Sequence, residues 1–202
     1  MTTATRWMAI LTIIGGLALA MFSEPAAADE PKVELQVGAT APVFEAVDDL
    51  GQPWKSTDHV GKKYLVVYFY PGDFTPGCTR QAQSFRDAMN MLSDEGVEVV
   101  GVSGDAVPTH QMFKQAQKLN FTLLSDDSGQ LAAMFGVPVG KGAEVKTKDA
   151  DGHPITVKRA VTAGRWTFVI GKDGRIVYKN TKVDPLKDSK EVADLIDQLN
   201  KQ

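Results

Sequence analysis

The sequence predicts an α/β domain built on a mixed central β-sheet flanked by helices, and three observations carry that expectation. Residues 64–70 (Tyr-Leu-Val-Val-Tyr-Phe-Tyr) are β-branched, aliphatic and aromatic without a polar break, the mark of a strand buried on both faces. A helix-period segment and a second apolar strand follow directly, giving strand–helix–strand order. Further on, two short strand-like runs flank Gly171-Lys-Asp-Gly174, a hairpin turn signal. Parallel and antiparallel pairs are therefore expected in one sheet.

The elements follow in order. Residues 29–41 are rich in Pro, Ala and Glu and read as an extended arm. After the first strand, Pro71-Gly72 stops the run. Residues 77–95 show helical period, with Ala82, Phe85, Met89 and Leu92 on one face and Gly96 as a C-terminal stop. Residues 97–102 form the second buried strand. A helix over 108–119 is expected to turn Met112, Ala116 and Leu119 inward, followed by a short strand over 121–124 and a short helix over 128–135 stopped by Gly136. The polar, Gly/Lys/Asp-rich stretch 138–165 reads as a solvated excursion, with Asp151-Gly152 as a hairpin turn pair. Strands over 167–170 and 175–178 close the sheet. The last helix opens at Asp188, with Glu191 at capping-box spacing, and buries Val192, Leu195, Ile196 and Leu199.

Residues 1–28 read as a secretory signal peptide, with residues 29–202 as the domain. Arg6 supplies the positive start, residues 7–22 the apolar region, and Ala26-Ala27-Ala28 a small-residue cleavage site. The alternative is an uncleaved membrane anchor, for which the apolar run falls short of the roughly 20 residues a spanning helix needs. No cysteine stands directly after the apolar region at the cleavage site, which argues against a lipid-anchored form. Export to a bacterial periplasm is expected, with no stable membrane association once the signal is removed.

Composition excludes several chemistries. A chain of 202 residues is most simply one globular domain, and at that size it needs no disulfide or metal staple. Its formal net charge of −3 argues against nucleic-acid binding. The three histidines, His59, His110 and His153, do not cluster at ligand spacing, so no metal and no cofactor are expected. The single cysteine excludes an intramolecular disulfide and a CxxC site.

That cysteine, Cys78, lies where a buried strand passes into a helix: Phe69-Tyr-Pro-Gly-Asp-Phe-Thr-Pro-Gly-Cys78. Residue type alone leaves it open as a small buried hydrophobe. A helix N-terminus, with its free N–H groups and positive dipole end, instead favours a thiolate. Thr75 stands one turn before the sulfur, open as a helix N-cap or as a hydroxyl facing it. Pro76 presets φ for the helix, and Gly77 permits close approach of a ligand to the backbone.

The spacing Pro71-x-x-x-Thr75-x-x-Cys78 resembles the P-x-x-x-T-x-x-C signature of peroxiredoxins. The surrounding Tyr70-Pro71 and Thr75-Pro76-Gly77-Cys78-Thr79 are similar to the Q-type (bacterioferritin-comigratory) subgroup of the AhpC/TSA family. Collinear support comes from residues 38–44, 121–126, 135–137 and 165–174, so the likeness spans about residues 33–200. It implies a thioredoxin-like fold and a thiol-dependent peroxidase acting on hydrogen peroxide and organic hydroperoxides. By the same resemblance Cys78 is the peroxidatic cysteine, Thr75 and Pro71 are its motif partners, and Arg165 is the family arginine. Peroxide would then be bound by Thr75, Gly77, Cys78 and Arg165. Arg159 and Arg80 are the other nearby positive charges, Arg165 stays open as a surface strand residue, and Pro71 as a turn residue.

Donors aimed at both peroxide oxygens matter most in the transition state, when charge moves to the leaving oxygen. Arg165, the Thr75 hydroxyl and the N–H groups of Gly77 and Cys78 are expected to provide them. One departure stands out. Many Q-type members carry a resolving cysteine five residues after the peroxidatic one, where this chain has Gln83. A one-cysteine cycle is implied, with an external thiol as reductant: a thioredoxin-like protein, or glutaredoxin with glutathione. The alternative function is an exported redox sensor that relays oxidation to partners by mixed disulfides. A thioredoxin-type dithiol exchanger is disfavoured, because Thr75 stands where its first cysteine would be. Monomer and dimer are both compatible with the family.

Overall fold

The computed structural model describes residues 34–201; the proposed signal peptide, its cleavage site and the anchor alternative lie outside the described residues. Among the described residues, four α-helices and nine strands follow one another. They are β1 (Glu45–Asp48), β2 (Pro53–Lys55), β3 (Tyr64–Phe69), α1 (Pro76–Asp94), β4 (Val97–Ser103), α2 (Val107–Gln117), β5 (Thr122–Ser125), α3 (Gln130–Met134), β6 (Val139–Lys148), β7 (Pro154–Ala163), β8 (Trp166–Ile170), β9 (Ile176–Asn180) and α4 (Asp188–Asn200). Seven strands form one sheet in the order β2-β1-β5-β4-β3-β8-β9, and β6 pairs with β7 apart from it. The β3–β4 and β4–β5 pairs are parallel and the rest antiparallel, which is the mixed sheet expected from the sequence.

Strand β3 is central, and its alternation divides the core. Leu65, Val67 and Phe69 enter one apolar layer with Phe44, Trp54, Phe135, Phe168 and Ile170. Val66, Tyr68 and Tyr70 enter the other, with Phe85 of α1, Phe113 of α2 and Val192 and Ile196 of α4. Successive strand side chains point to opposite faces, so an unbroken apolar run is what a strand covered on both sides requires. Tyr70 has left the strand, yet its N–H still donates to the Val102 carbonyl at 3.1 Å. The segment after it therefore starts from a fixed point at the C-terminal edge of the sheet.

Residues 45–55, for which no element was expected, form the β1–β2 hairpin, turned at Gly51 (φ +78°). Three expectations are corrected. Helix α2 buries Thr109, His110 and Phe113, leaving Met112 and Ala116 half-buried; the buried face is rotated because His110 has an ion partner inside. The capping box does not form. Lys187 is the N-cap without a side-chain bond, Asp188 is turned into the core, and Glu191 accepts from Tyr178 (3.3 Å) and Asn180 (3.2 Å) on β9. The stretch 138–165 is the expected hairpin with a turn at Asp149–His153, but it is not merely solvated: Val157, Arg159 and Ala163 are buried.

Candidate active site

The site is built on the loop Tyr70–Thr75 between β3 and α1. Pro76 is exposed at the first helical position of α1, where its missing N–H has no intrahelical partner to serve. This places the Gly77 and Cys78 N–H groups in the first turn, free of the helix ladder. Cys78 packs in the second core layer and is only 1% exposed.

Arg165 lies in the two-residue link between β7 and β8. Its Nη2 donates to Cys78 Sγ at 3.2 Å. Its Nη1 donates to Gln81 Oε1, one turn along α1. A Cβ on Gly77 would stand 3.3 Å from Arg165 Nη2, so glycine leaves the guanidinium room against the helix start. The sequence named Cys78, Gly77 and Arg165, and the structure brings them together. Arg80 is exposed.

Thr75 occupies the N-cap position with extended backbone (φ −80°, ψ 145°), but its hydroxyl makes no cap bond. It donates instead to the Gly72 carbonyl at 3.0 Å. With its hydrogen committed, Oγ1 presents lone pairs rather than a donor, the reverse of the role expected from the sequence. Pro71 is half-buried, and its carbonyl accepts from Arg159 Nη1 at 3.5 Å.

Beneath the loop lies a buried polar cluster that the sequence did not show. Asp73 N donates to Asp105 Oδ2 (2.8 Å), and Asp73 Oδ1 accepts from the Tyr70 hydroxyl (2.8 Å). Asp73 Oδ2 pairs with His110 Nδ1 at 2.8 Å, and His110 Nε2 faces the Leu124 carbonyl at 3.3 Å. Asp105 also accepts from Ser103 Oγ (2.8 Å) and from Arg159 Nε (3.0 Å), while Arg159 Nη2 donates to the Asp73 carbonyl (2.8 Å). Arg159 is thus a clamp on the loop, and Arg165 the partner of the sulfur.

Two acidic and two basic groups make this cluster nearly neutral, and its charges are hydrogen-bonded as buried charges must be. Burial, and then the neighbouring Asp73 charge, push Asp105 up. Burial alone would lower His110, but the charge and hydrogen bond of Asp73 outweigh it and the net shift is upward. Both ring nitrogens of His110 face oxygen acceptors, the arrangement of an imidazolium that donates twice. Gly72 is required here. It sits at φ +153°, and a Cβ on it would fall 2.1 Å from the Arg159 Cζ.

Gln83, at the position where many Q-type members have a second cysteine, donates to Gln117 Oε1 at 2.8 Å and ties α1 to α2. Across the helix, Gln81 Nε2 donates to Asp188 Oδ2 at 2.7 Å, and Thr167 Oγ1 donates to the same oxygen at 2.8 Å. The only sequence signal for Gln81 is its position three residues after Cys78, on the same helix face. Among the described residues, the cluster with ligand-like spacing is Asp149, Asp151 and His153 in the β6–β7 turn, away from the sulfur in sequence and on exposed hairpin ends.

Fold and site define a thiol-dependent oxidoreductase of thioredoxin-like build, with one sulfur where a dithiol exchanger has two. Comparison with known proteins gives the family. The sequence model of the AhpC/TSA family matches residues 37–179, and the chain belongs to that family: it is a peroxiredoxin, an enzyme that reduces peroxides with a thiol. It is 40% identical over 154 residues to a putative peroxiredoxin bcp of Coxiella burnetii, covering 75% of this chain and 93% of that one. It is 38% identical over 164 residues to the chloroplastic peroxiredoxin Q of Sedum lineare, covering 80% and 78%. Among solved structures, peroxidoxin BcpB of Mycobacterium tuberculosis matches with a TM-score of 0.69 at 26% identity, covering 82% of this chain and 99% of that one.

Proposed function

We propose that Cys78 is the peroxidatic thiol, that Arg165, Thr75 and the Gly77 and Cys78 N–H groups hold the peroxide, and that Pro71 shapes the loop presenting them. The observation that carries this is the 3.2 Å contact of Arg165 Nη2 with a buried sulfur in the first turn of α1. A guanidinium is always charged and favours the thiolate, which is the nucleophile. The sulfur attacks one peroxide oxygen. An S–O bond forms as the O–O bond breaks, and the leaving oxygen departs as water or an alcohol after taking a proton. Cys78 is left as a sulfenic acid. Thr75 Oγ1 accepts the hydroperoxide O–H, while Arg165 and the helix N–H groups donate to the oxygens as charge moves onto them.

The only cysteine in the chain is Cys78, so reduction of the sulfenic acid falls to a thiol from outside, either a thioredoxin-like protein or glutaredoxin with glutathione. Residues 1–28 are the export signal that would place the enzyme in a bacterial periplasm. Three measurements test this. Rapid-mixing kinetics should show fast sulfenic acid formation at Cys78 with hydrogen peroxide or an organic hydroperoxide, and turnover with one of the named reductants, both lost in Cys78→Ser. Slow oxidation would overturn the peroxidase reading, and discrete mixed disulfides with partner proteins in place of turnover would favour the relay function instead. Fractionation of expressing cells with N-terminal sequencing tests the signal: a mature chain starting at Asp29 supports it, and a membrane-retained full-length chain supports an anchor.

A further inference from the structure

We infer that Asp188 is a positioning residue for the peroxidatic site, acting through the Gln81 amide to fix Arg165 on the Cys78 sulfur. The inference rests on Arg165 being the sulfur's reactive partner, as proposed above. Gln81 lies between two groups of opposite demand. Its Oε1 accepts from Arg165 Nη1, and its Nε2 donates to Asp188 Oδ2 at 2.7 Å. An amide has one accepting end and one donating end. An ionised Asp188 only accepts, so it permits one orientation: N–H toward itself, carbonyl oxygen toward the guanidinium. The flipped amide would set N–H against the Arg165 donors and oxygen against a carboxylate. With its Nη1 pinned in this way, Arg165 turns Nη2 onto the sulfur at 3.2 Å.

The surroundings of Asp188 favour a role beyond packing. It is the first residue of α4, a position where an acidic side chain usually faces water near the helix dipole. Here it is fully buried. Oδ2 takes two hydrogen bonds, from Gln81 and from Thr167 of the central sheet, while Oδ1 is buried without a partner. A carboxylate that is half satisfied in the core destabilises the fold. What it supplies in exchange is an acceptor that cannot invert. The ionisable groups that act on it are Arg165 in the β7–β8 link, Glu191 on its own helix, Tyr68 of β3 and Tyr178 of β9.

Asp188→Asn keeps the shape but admits both amide orientations, because Asn offers a donor as well as an acceptor. The full domain is compared as wild type, D188N, Gln81→Leu, the double variant and Arg165→Met. Read-outs are the second-order rate of Cys78 oxidation by hydrogen peroxide across pH and the pH at which thiolate ultraviolet absorbance appears. D188N should slow oxidation by on the order of tenfold and move thiolate appearance to higher pH. In the Gln81→Leu background the same change should have no further effect. An unchanged rate and titration in D188N, or an equal slowing with and without Gln81, overturns the role of Asp188 while leaving the site reading intact if R165M is inactive. An R165M enzyme with wild-type oxidation overturns both.

Discussion

The same carboxylate makes a prediction about stability with a definite sign. Burial, partly offset by the Thr167 and Gln81 hydrogen bonds, pushes Asp188 from the ordinary 3.8 to about 6. Between these values the folded protein holds a proton that the unfolded chain has released. Stability from this group is therefore fully present below pH 3.8 and lost as pH rises through about 6. At about 1.4 kcal/mol per pH unit, the loss comes to about 3 kcal/mol. The asparagine of the D188N variant does not titrate, so the gap in unfolding free energy between D188N and wild type should widen in favour of D188N as pH rises. About 2 kcal/mol of that widening falls between roughly pH 4.5 and 7.5. Urea unfolding at intervals of pH, with unchanged m-values, measures it, and the titration of His110, present in both proteins, cancels in the difference. A gap that is flat with pH, or narrows, would show that Asp188 is ionised in the folded state throughout and that burial does not govern it. Combined with a slower oxidation step, a more stable D188N would mark a buried charge kept at the expense of stability.

The polar cluster under the loop gives three more expectations. Gly72→Ala sets a Cβ 2.1 Å from the Arg159 Cζ at a φ of +153°, and should lower the urea midpoint by an amount equivalent to about 2 kcal/mol or more; a midpoint within error of wild type would mean that Arg159 is free to withdraw. Arg159→Met leaves the Asp105 carboxylate buried without its cation and should cost about 3 kcal/mol in the same assay, with recovery in the Asp105→Asn double variant; no recovery would show that the ion pair is not the source. The upward shift of His110 means that its pairing with Asp73 stabilises fully below about pH 6.5 and is lost as pH rises through the raised value. His110→Gln should therefore flatten the fall in stability above about pH 6.5, and a fall of unchanged slope would exclude this pair as its source.

The sheet, the helices and the Cys78 position were legible because periodicity is local. An unbroken apolar run over 64–70 or an apolar face on α1 is written within a few turns of chain. The loop clamp was not, because its parts are polar residues joined across 32 to 88 positions, and a single Asp or His gives no sign of which way it faces. His110 shows this most directly. On periodicity Met112 and Ala116 belonged inside, but the helix rotates to set an imidazole against Asp73, a preference visible only when both ends of the pair are placed. Asp188 was misread for the same reason. Its spacing to Glu191 matches a capping box, yet Gln81, 107 positions away, claims the carboxylate. Arg165 was legible only through likeness to the peroxiredoxin motif, since nothing local separates it from Arg159.

The one-cysteine cycle places a demand on motion that the clamp helps to locate. A mixed disulfide needs the partner sulfur within about 2.05 Å of Sγ, and Cys78 is only 1% exposed. A hydroperoxide is small enough to reach a sulfur held against Arg165, but a protein thiol is not, so on the proposed cycle reduction requires the start of α1 to open. Residues Pro71–Asp73 are held from the β4–α2 link, α2 and β7 by Asp105, His110 and Arg159, and resist that opening. The segment just beyond them is held differently: Phe74 carries φ +60°, unfavourable for an aromatic residue, and rests on Phe113 by an edge contact at 5.2 Å, while Pro76 and Arg80 are exposed. The hinge is thus expected at Phe74–Pro76. Phe74→Gly removes both the strain and the ring contact, and its effect should divide by step. Peroxide oxidation of Cys78 should change little, whereas reduction of the sulfenic acid by a thioredoxin-like protein should change several-fold more than reduction by a small thiol. Equal changes for large and small reductants would place the opening elsewhere.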